Sequence, residues 1–263
     1  MSSALRITFK ALLEGLAIAR LGLVTQSTGA CAAQAGDKFI LAAALDNASK
    51  TVWEMPVGKG WMWPWTVSTA SAQALTSGAI PFANLDYCRW FALYSQDPRG
   101  VSSTGYFMPS YADDLGIHPM DDTLGSYFAF YIGRAPEFTS SVVTVSTAYN
   151  ADDIVYDDRT VANGGTGECF RCLSSYTTPG TDGLLTTDLA NTAKWRVQPV
   201  YKNFQTPMEL MAYGQWLQTV RKFEEGAAMT AEGMSDLSEE YIKIFRQQAS
   251  FMPNPHYARG TWR

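Results

Sequence analysis

The residues able to do chemistry are few and scattered. Only two histidines, His118 and His256, serve the 263 residues, and a Ser or Cys nucleophile needs a base beside it. His118 lies in Gly-Ile-His-Pro, which reads as a turn. No Gly-x-Ser-x-Gly elbow occurs, and Gly58-Lys59-Gly60 lacks the upstream Gly and the Ser or Thr of a phosphate loop. Four acidic doublets, Asp113-Asp114, Asp121-Asp122, Asp152-Asp153 and Asp157-Asp158, suggest paired carboxylates for glycoside cleavage or a surface cation. Neighbours on a strand face opposite sides, however, so a doublet is not by itself a catalytic pair, and in loops these acids are expected to be solvated. Cys169-Phe-Arg-Cys172 is half of a zinc site with no second pair in ligand spacing. In a strand its two thiols would point to opposite faces. The reading is a non-enzyme with no cofactor and no metal.

Aromatic residues are the richest remaining material. Tyr156, Phe170 and Trp195, with Tyr149 and Tyr176, fall in one short β segment and could stack on the apolar face of a sugar. The alternative is that they form the core of that segment. Charged residues make up 17 % of the chain beside 8 Trp, 13 Tyr and 13 Phe, where about 25 % charged is usual. Either the core is rich in rings, or other subunits cover part of the surface, since interface cores concentrate aromatics and shed Lys and Glu. The net charge of −5 carries no basic footprint for nucleic acid. No run of 18 apolar residues reads as a membrane span. The N-terminal stretch, interrupted by Glu14 and Arg20, does not read as a signal peptide.

The elements that must position these residues follow from periodicity. Ala4 to Leu21 carries Leu5, Phe9, Leu12, Leu13 and Leu16 in a helical stripe, with Ser3 as N-cap and Gly22 as terminator. Ala32 to Glu54 predicts a second helix bearing Phe39, Ile40, Ala43, Ala44, Asn47 and Trp53, stopped by Pro56. Trp61, Trp63 and Trp65 close the hairpin. Cys88 to Tyr94, Tyr127 to Ile132 and Ser141 to Val145 read as strands, with a turn at Asp97-Pro98-Arg99-Gly100. Thr206-Pro207-Met208-Glu209 predicts a capping box. After it, Leu210, Tyr213, Leu217 and Val220 form one stripe, and Leu237, Tyr241, Ile244 and Phe245 another, with a break or bend at Gly226 and Gly233. Pro253 and Pro255 then exclude helix from a tail ending in Trp262 and Arg263. The expected class is α+β. It comprises an N-terminal helical hairpin (1–66) packed with C-terminal helices (201–250), a β-rich insert (67–148), a small β module (149–200) and an extended arm (251–263).

Two stretches resemble known families. Residues 4 to 66, with Phe-Lys-Ala-Leu-Leu-Glu in the first helix, Ala-Ser-Lys-Thr-Val-Trp-Glu ending the second and then Trp63-Pro64-Trp65, resemble the N-terminal hairpin of head-to-tail adaptor (connector) proteins of tailed bacteriophages. The Pro207 to Gln248 helices are similar to the C-terminal part of such proteins. Tyr149-Asn-Ala-Asp-Asp-Ile-Val-Tyr156, Glu168-Cys-Phe-Arg-Cys172 and Ala193-Lys-Trp195 look like a small chitin-binding-type module. Asp152 stands where that family usually has Gly, and the adjacent exposed aromatic pair that holds sugar is absent, which favours packing or decoration over sugar binding. The resemblance implies a non-enzymatic virion subunit made in the host cytoplasm, a homo-oligomeric ring that is twelvefold in many such phages. It would join portal to tail or nozzle proteins, with DNA passing through the lumen without sequence-specific binding. By the same resemblance the arm inserts into the portal or a neighbouring subunit through Pro253, Pro255, His256, Tyr257, Arg259, Trp262 and Arg263. The competing reading is a carbohydrate- or receptor-contacting baseplate or tail fibre component, with a hydrolase using the Asp doublets behind it.

Overall fold

The computed structural model describes residues 6–58, 67–69, 73–82, 87–96 and 107–249. Among the described residues it is α+β, with five helices and several small sheets. The chain divides into two compact units, Met1–Val52 with Pro136–Arg263, and the inserted Trp53–Ala135.

The discontinuous unit opens with strand β1 (Arg6–Ile7) and helix α1 (Phe9–Leu21). The helix starts at Phe9 with Thr8 as its N-cap, accepting from the Ala11 N–H at 3.1 Å; the expected start at Ser3 to Leu5 lies outside the described residues. Arg6 and Ile7 are drawn instead into antiparallel pairing with Tyr201 and Val200. Gly22 ends α1 as expected, at φ +64° with its N–H turned back on the last carbonyls. Phe9, Leu12, Leu13 and Leu16 are buried.

Helix α2 (Ala35–Gly58) runs one turn past the expected stop at Pro56. Proline lacks the N–H that would bond four residues back, and the Val52 carbonyl so released accepts from the hydroxyl of Tyr241. Of the residues expected on this helix, Ala44 and Trp53 are buried, together with Leu41, Leu45, Ala48 and Val52, whereas Phe39 is 66 % exposed, Ile40 is 38 % exposed, and Ala43 and Asn47 face solvent. α2 is apolar on most of its circumference, so its sequence does not single out the buried side.

The inserted unit holds β2 (Val67–Thr69), β3 (Gln73–Ala74), β4 (Ile80–Pro81), β5 (Tyr87–Tyr94), β6 (Phe107–Met108), β7 (Ser110–Ala112), β8 (Gly116–Pro119) and β9 (Ser126–Gly133). They form a sheet of order β2-β9-β5-β6, with β3 also on β9, and a second sheet of order β4-β8-β7. Ile80, Leu93, Met108, Ile117, Tyr127 and Ala129 make its core. The expected strands around Cys88–Tyr94 and Tyr127–Ile132 are present. The Trp61, Trp63, Trp65 cluster and the Asp97–Gly100 turn lie outside the described residues.

The chain then returns to the discontinuous unit. The Phe138 N–H donates to Asp46 at 2.9 Å and Ser49 Oγ to the Pro136 carbonyl at 2.8 Å, stitching the return to α2. Ser141 to Val145 is not a strand; it makes only a bridge between Val142 and Tyr156. Next come β10 (Ala148–Tyr149), β11 (Ile154–Tyr156), β12 (Cys169–Cys172), β13 (Tyr176–Thr177), α3 (Asp182–Leu189), β14 (Trp195–Gln198) and β15 (Val200–Tyr201). β12 is central in the sheet β11-β12-β14 and is buried on both faces. Phe170 and Cys172 face Leu185 and Leu189 of α3. On the other side, Tyr156 meets the ring of Phe9 edge-on at 5.3 Å.

Helices α4 (Gln205–Thr219) and α5 (Phe223–Ala249) complete the unit. The expected capping box does not form: Thr206 lies inside α4, no side chain caps it, and Glu209 accepts from Gln205 at 2.8 Å. α5 is unbroken through Gly226 and Gly233; the chain turns earlier, at Val220–Lys222, with Arg221 at φ +65°. The glycines have another task. A Cβ on Gly214 would stand 2.4 Å from Thr230 Oγ1 and 2.6 Å from the Gly226 carbonyl, and one on Gly226 would stand 2.6 Å from the Gly214 carbonyl. They bring two helix backbones together, and Leu237, Tyr241 and Ile244 continue the buried seam as their spacing predicts.

Candidate functional site

The residues singled out for chemistry in the discontinuous unit are mostly locked into its framework. Trp195, Phe170 and Tyr156 are 2 %, 3 % and 1 % exposed, so they offer no sugar-stacking platform and form the core instead. Trp195 packs edge-on against Tyr149, Phe170 and Tyr176, with centroids 5.6 to 6.4 Å apart. Its indole N–H donates to Asp188 at 3.2 Å. Asp188 also accepts from Tyr176 Oη at 2.5 Å and Lys194 Nζ at 2.8 Å. Burial would raise the Asp188 pKa, but these donors outweigh it and hold the carboxyl below the usual range.

Asp157-Asp158 departs furthest from a solvated doublet. Asp157 is fully buried. It takes a two-point bond from Arg159, with Nε–Oδ1 at 2.8 Å and Nη2–Oδ2 at 3.1 Å, and two more bonds from the Thr166 N–H and hydroxyl. Burial pushes its pKa up, yet Arg159 and Thr166 prevail and keep it ionised. Asp158 bridges Lys10 at 2.9 Å and Lys38 at 3.0 Å and accepts from Tyr156 at 3.0 Å. A carboxylate held by several donors and never facing a second carboxylate is a clamp, not a general acid.

Glu168 is the exception, and sequence reasoning gave no hint of it. The first free N–H groups of α1 are satisfied from three sources: Phe9 donates to Glu168, Lys10 to the Gly167 carbonyl at 2.8 Å, and Ala11 to Thr8. The Glu168 Oε2 atom is nevertheless buried without a hydrogen-bond partner. Burial is the dominant influence and raises its pKa to about 7, against the pull of Phe9 and Arg6. A carboxyl whose pKa rises from 4.5 unfolded to about 7 folded supports folding fully below the unfolded value and loses that support as pH climbs through 7. Glu168→Gln keeps an acceptor for Phe9 without the buried charge. The variant is therefore expected to match the parent in urea unfolding at pH 4 and to exceed it at pH 8, by up to about 3 kcal/mol. Equal stability at pH 8 would refute the assignment.

Other candidates divide cleanly. His118 sits within β8 rather than in a turn, stacked on Tyr111 at 4.8 Å and 3.0 Å from Asp113, with no nucleophile in the arrangement. The Cys169 thiol lies near the Thr139 carbonyl and that of Cys172 near the Ser174 carbonyl, with burial raising both pKa values. They lie on opposite faces of β12, as the spacing predicts. Among the described residues, no three His, Cys, Asp or Glu side chains are placed to hold a metal. A cavity of about 230 Å³ is lined mainly by polar and charged side chains, Thr206, Asp236, Glu239, Glu240 and Lys243, with Pro207, unlike the mostly apolar clefts that hold small molecules. Pro253, Pro255, His256, Tyr257, Arg259, Trp262 and Arg263 lie outside the described residues.

What the described surface does present is apolar area. One stripe runs along α2, through Gly36, Phe39, Ile40 and Ala43. A second occupies the β7–β8 hairpin and its flanks, where Phe107, Tyr111, Leu115, Met120 and Leu124 are 44–71 % exposed. No family model, curated protein or solved structure matches this chain. The exposed apolar surfaces suit contact with other protein chains. Phe39, Ile40 and Ala43 of the α2 stripe are among the residues that the sequence places on this helix. The hairpin patch was not singled out; its signal is a run from Phe107 to Tyr127 that contains no Lys or Arg.

Proposed function

We propose that the chain is a structural subunit of a bacteriophage virion, a head-to-tail adaptor ring joining the portal to the tail and lining the DNA exit channel. The observation that carries this reading is the exposed α2 stripe. Phe39, Ile40 and Ala43 form an i, i+1, i+4 apolar face with Phe39 66 % exposed, in a chain with little charge to keep such a face wet. Covering one such Phe is worth about 1.5–3 kcal/mol, and a closed ring repeats the gain at every subunit boundary.

Other features agree. Helices from the two ends of the chain are in contact: α2 and α5 are tied through Val52 and Tyr241, and α2 and α4 through Asn47 and Gln215 at 3.4 Å. Asp152, where the resembling module has Gly, adopts φ +70°, a conformation that glycine favours and Asp tolerates. α5 carries Glu224, Glu225, Glu232, Asp236, Glu239 and Glu240 against Lys243 and Arg246. A wall of that sign repels phosphate and lets a duplex slide. The burial of Trp195 removes the support for a carbohydrate-contacting component.

The test is mass measurement in solution joined to imaging of particles. The expected result is a ring of many copies at the particle neck, and Phe39→Glu reduced to monomers with its fold intact. A chain that is monomeric at every concentration and absent from particles overturns the proposal.

A further inference from the structure

We propose that the acidic, apolar β7–β8 hairpin of the inserted unit is a docking surface for residues 251–263 of a second copy of this chain. The inference rests on the assembly reading above and names the contact that would join the copies.

The hairpin carries two clusters of the same composition, one at each end of β8. Beyond the turn end lies Leu115, 65 % exposed, beside Asp113 and Asp114. At the other end are Met120, 71 % exposed, and Leu124, 44 % exposed, beside Asp121 and Asp122. The Met120 N–H bonds to the Pro109 carbonyl at 2.9 Å, which continues the β7–β8 ladder and sets the two clusters at opposite ends of β8. Between them Tyr111, 50 % exposed, stacks on His118 and supplies a flat floor. His118 is held by Asp113 at 3.0 Å, and no Lys or Arg falls between Phe107 and Tyr127. The face therefore suits a ligand that is cationic and aromatic together.

The segment Phe-Met-Pro-Asn-Pro-His-Tyr-Ala-Arg-Gly-Thr-Trp-Arg has that composition. It contains Arg259, Arg263 and His256 with no acidic side chain, and its rings are Phe251, Tyr257 and Trp262. Arg259 and Arg263 are four residues apart, about 13 Å in extended chain, so two charges can engage separate acids. Pro253 and Pro255 disfavour helix and reduce the entropy lost on ordering. Each arginine meets one pair of aspartates, and Trp262 covers Leu115 or Met120, an aromatic anchor beside charge of the kind that dominates interfaces.

The experiment is sedimentation velocity of the full chain across a concentration series, with charge reversals on each side. Asp114→Lys with Asp122→Lys alters two exposed acids outside the hairpin's hydrogen-bonding scheme, and Arg259→Glu with Arg263→Glu alters the segment. Each pair alone is expected to raise the self-association constant for dissociation about tenfold or more, and the four together to restore it to within about threefold. Unchanged association in either pair overturns the proposal, as does failure of the combination to recover what the single sides lose. Should the lysine pair lower the melting temperature, the Asn forms at 114 and 122 replace it, with a smaller loss expected from the same comparison. A particle neck lacking this protein, with the reciprocal charge effect intact, would overturn the adaptor reading while leaving the docking contact standing.

Discussion

Gly214→Val is expected to lower the melting temperature by roughly 6–12 °C, the shift that corresponds to about 3 kcal/mol in a chain of this size. The reason is the nature of what the new side chain would strike. Its Cβ would fall 2.6 Å from the Gly226 carbonyl and 2.4 Å from the Thr230 hydroxyl. Thr230 is itself bonded to that carbonyl at 2.9 Å, so neither obstacle is the free end of a flexible side chain. Overpacking usually costs about 1–3 kcal/mol, and here relief requires moving α4 away from α5 along a seam that includes Leu237 and Tyr241. Gly183→Ala is the control: nothing lies within 4 Å of its Cβ position in α3, and helix propensity favours Ala by up to about 1 kcal/mol. Thermal unfolding followed by circular dichroism separates the two. A Gly214→Val protein that melts with the parent would mean that the helices do not approach through these glycines.

Asp157→Ala should be the most damaging change of a polar residue, with a loss of about 3–5 kcal/mol in urea unfolding at pH 7. The substitution leaves the Arg159 guanidinium, 11 % exposed, without its carboxylate, holding only neutral acceptors at Asp182 and Thr186, and removes the acceptor of two Thr166 donors. It also frees the loop whose Gly167 and Glu168 cap α1, so damage at 157 spreads to Phe9 and Lys10. Since the Asp157 pKa is lowered, its contribution is present above the ordinary carboxylate pKa and disappears as pH falls through the lower folded value. The gap between parent and variant should therefore narrow in acid. Adding Arg159→Met to Asp157→Ala should recover part of the loss, because an unpaired buried cation is worse than an absent pair. A single-variant loss below about 1 kcal/mol would show that the loop relaxes to expose Arg159 and that the clamp is not structural.

Much of this architecture was legible in local pattern. Leu210 and Leu217 of α4, Leu237, Tyr241 and Ile244 of α5, the Gly22 stop and the strands around Cys88–Tyr94 and Tyr127–Ile132 follow from periodicity and turn chemistry, which act over a few residues, whereas Val220, expected in the α4 stripe, is 46 % exposed in the turn after that helix. What was hidden depends on distant partners. The Arg6–Ile7 strand exists only because Val200 and Tyr201 lie beside it, and nothing near residue 6 announces that. α2 is apolar on both sides, so which stripe lies inside is decided by the helices packed on it. Gly226 and Gly233 read as helix breakers because propensity is local, whereas their role is set by the α4 backbone passing close by. The Asp157 clamp and the Glu168 cap escaped for the same reason: an acid beside turn glycines is ordinarily solvated, and only the fold encloses it.

The pairing of β1 with β15 also sets an order of events during synthesis. Ile7 waits for Val200 and Phe9 for the segment that carries Phe138 and Tyr156, while the inserted unit draws its core from Ile80 to Ala129 alone. At about 5–20 residues per second, the ribosome needs roughly 10–40 s to emit the partner of the first strand. Through that interval the apolar faces of α1 and α2 stand without their covering. The inserted unit, emerging whole in between, can fold first, so that the nascent chain carries a finished domain inside one that has yet to close.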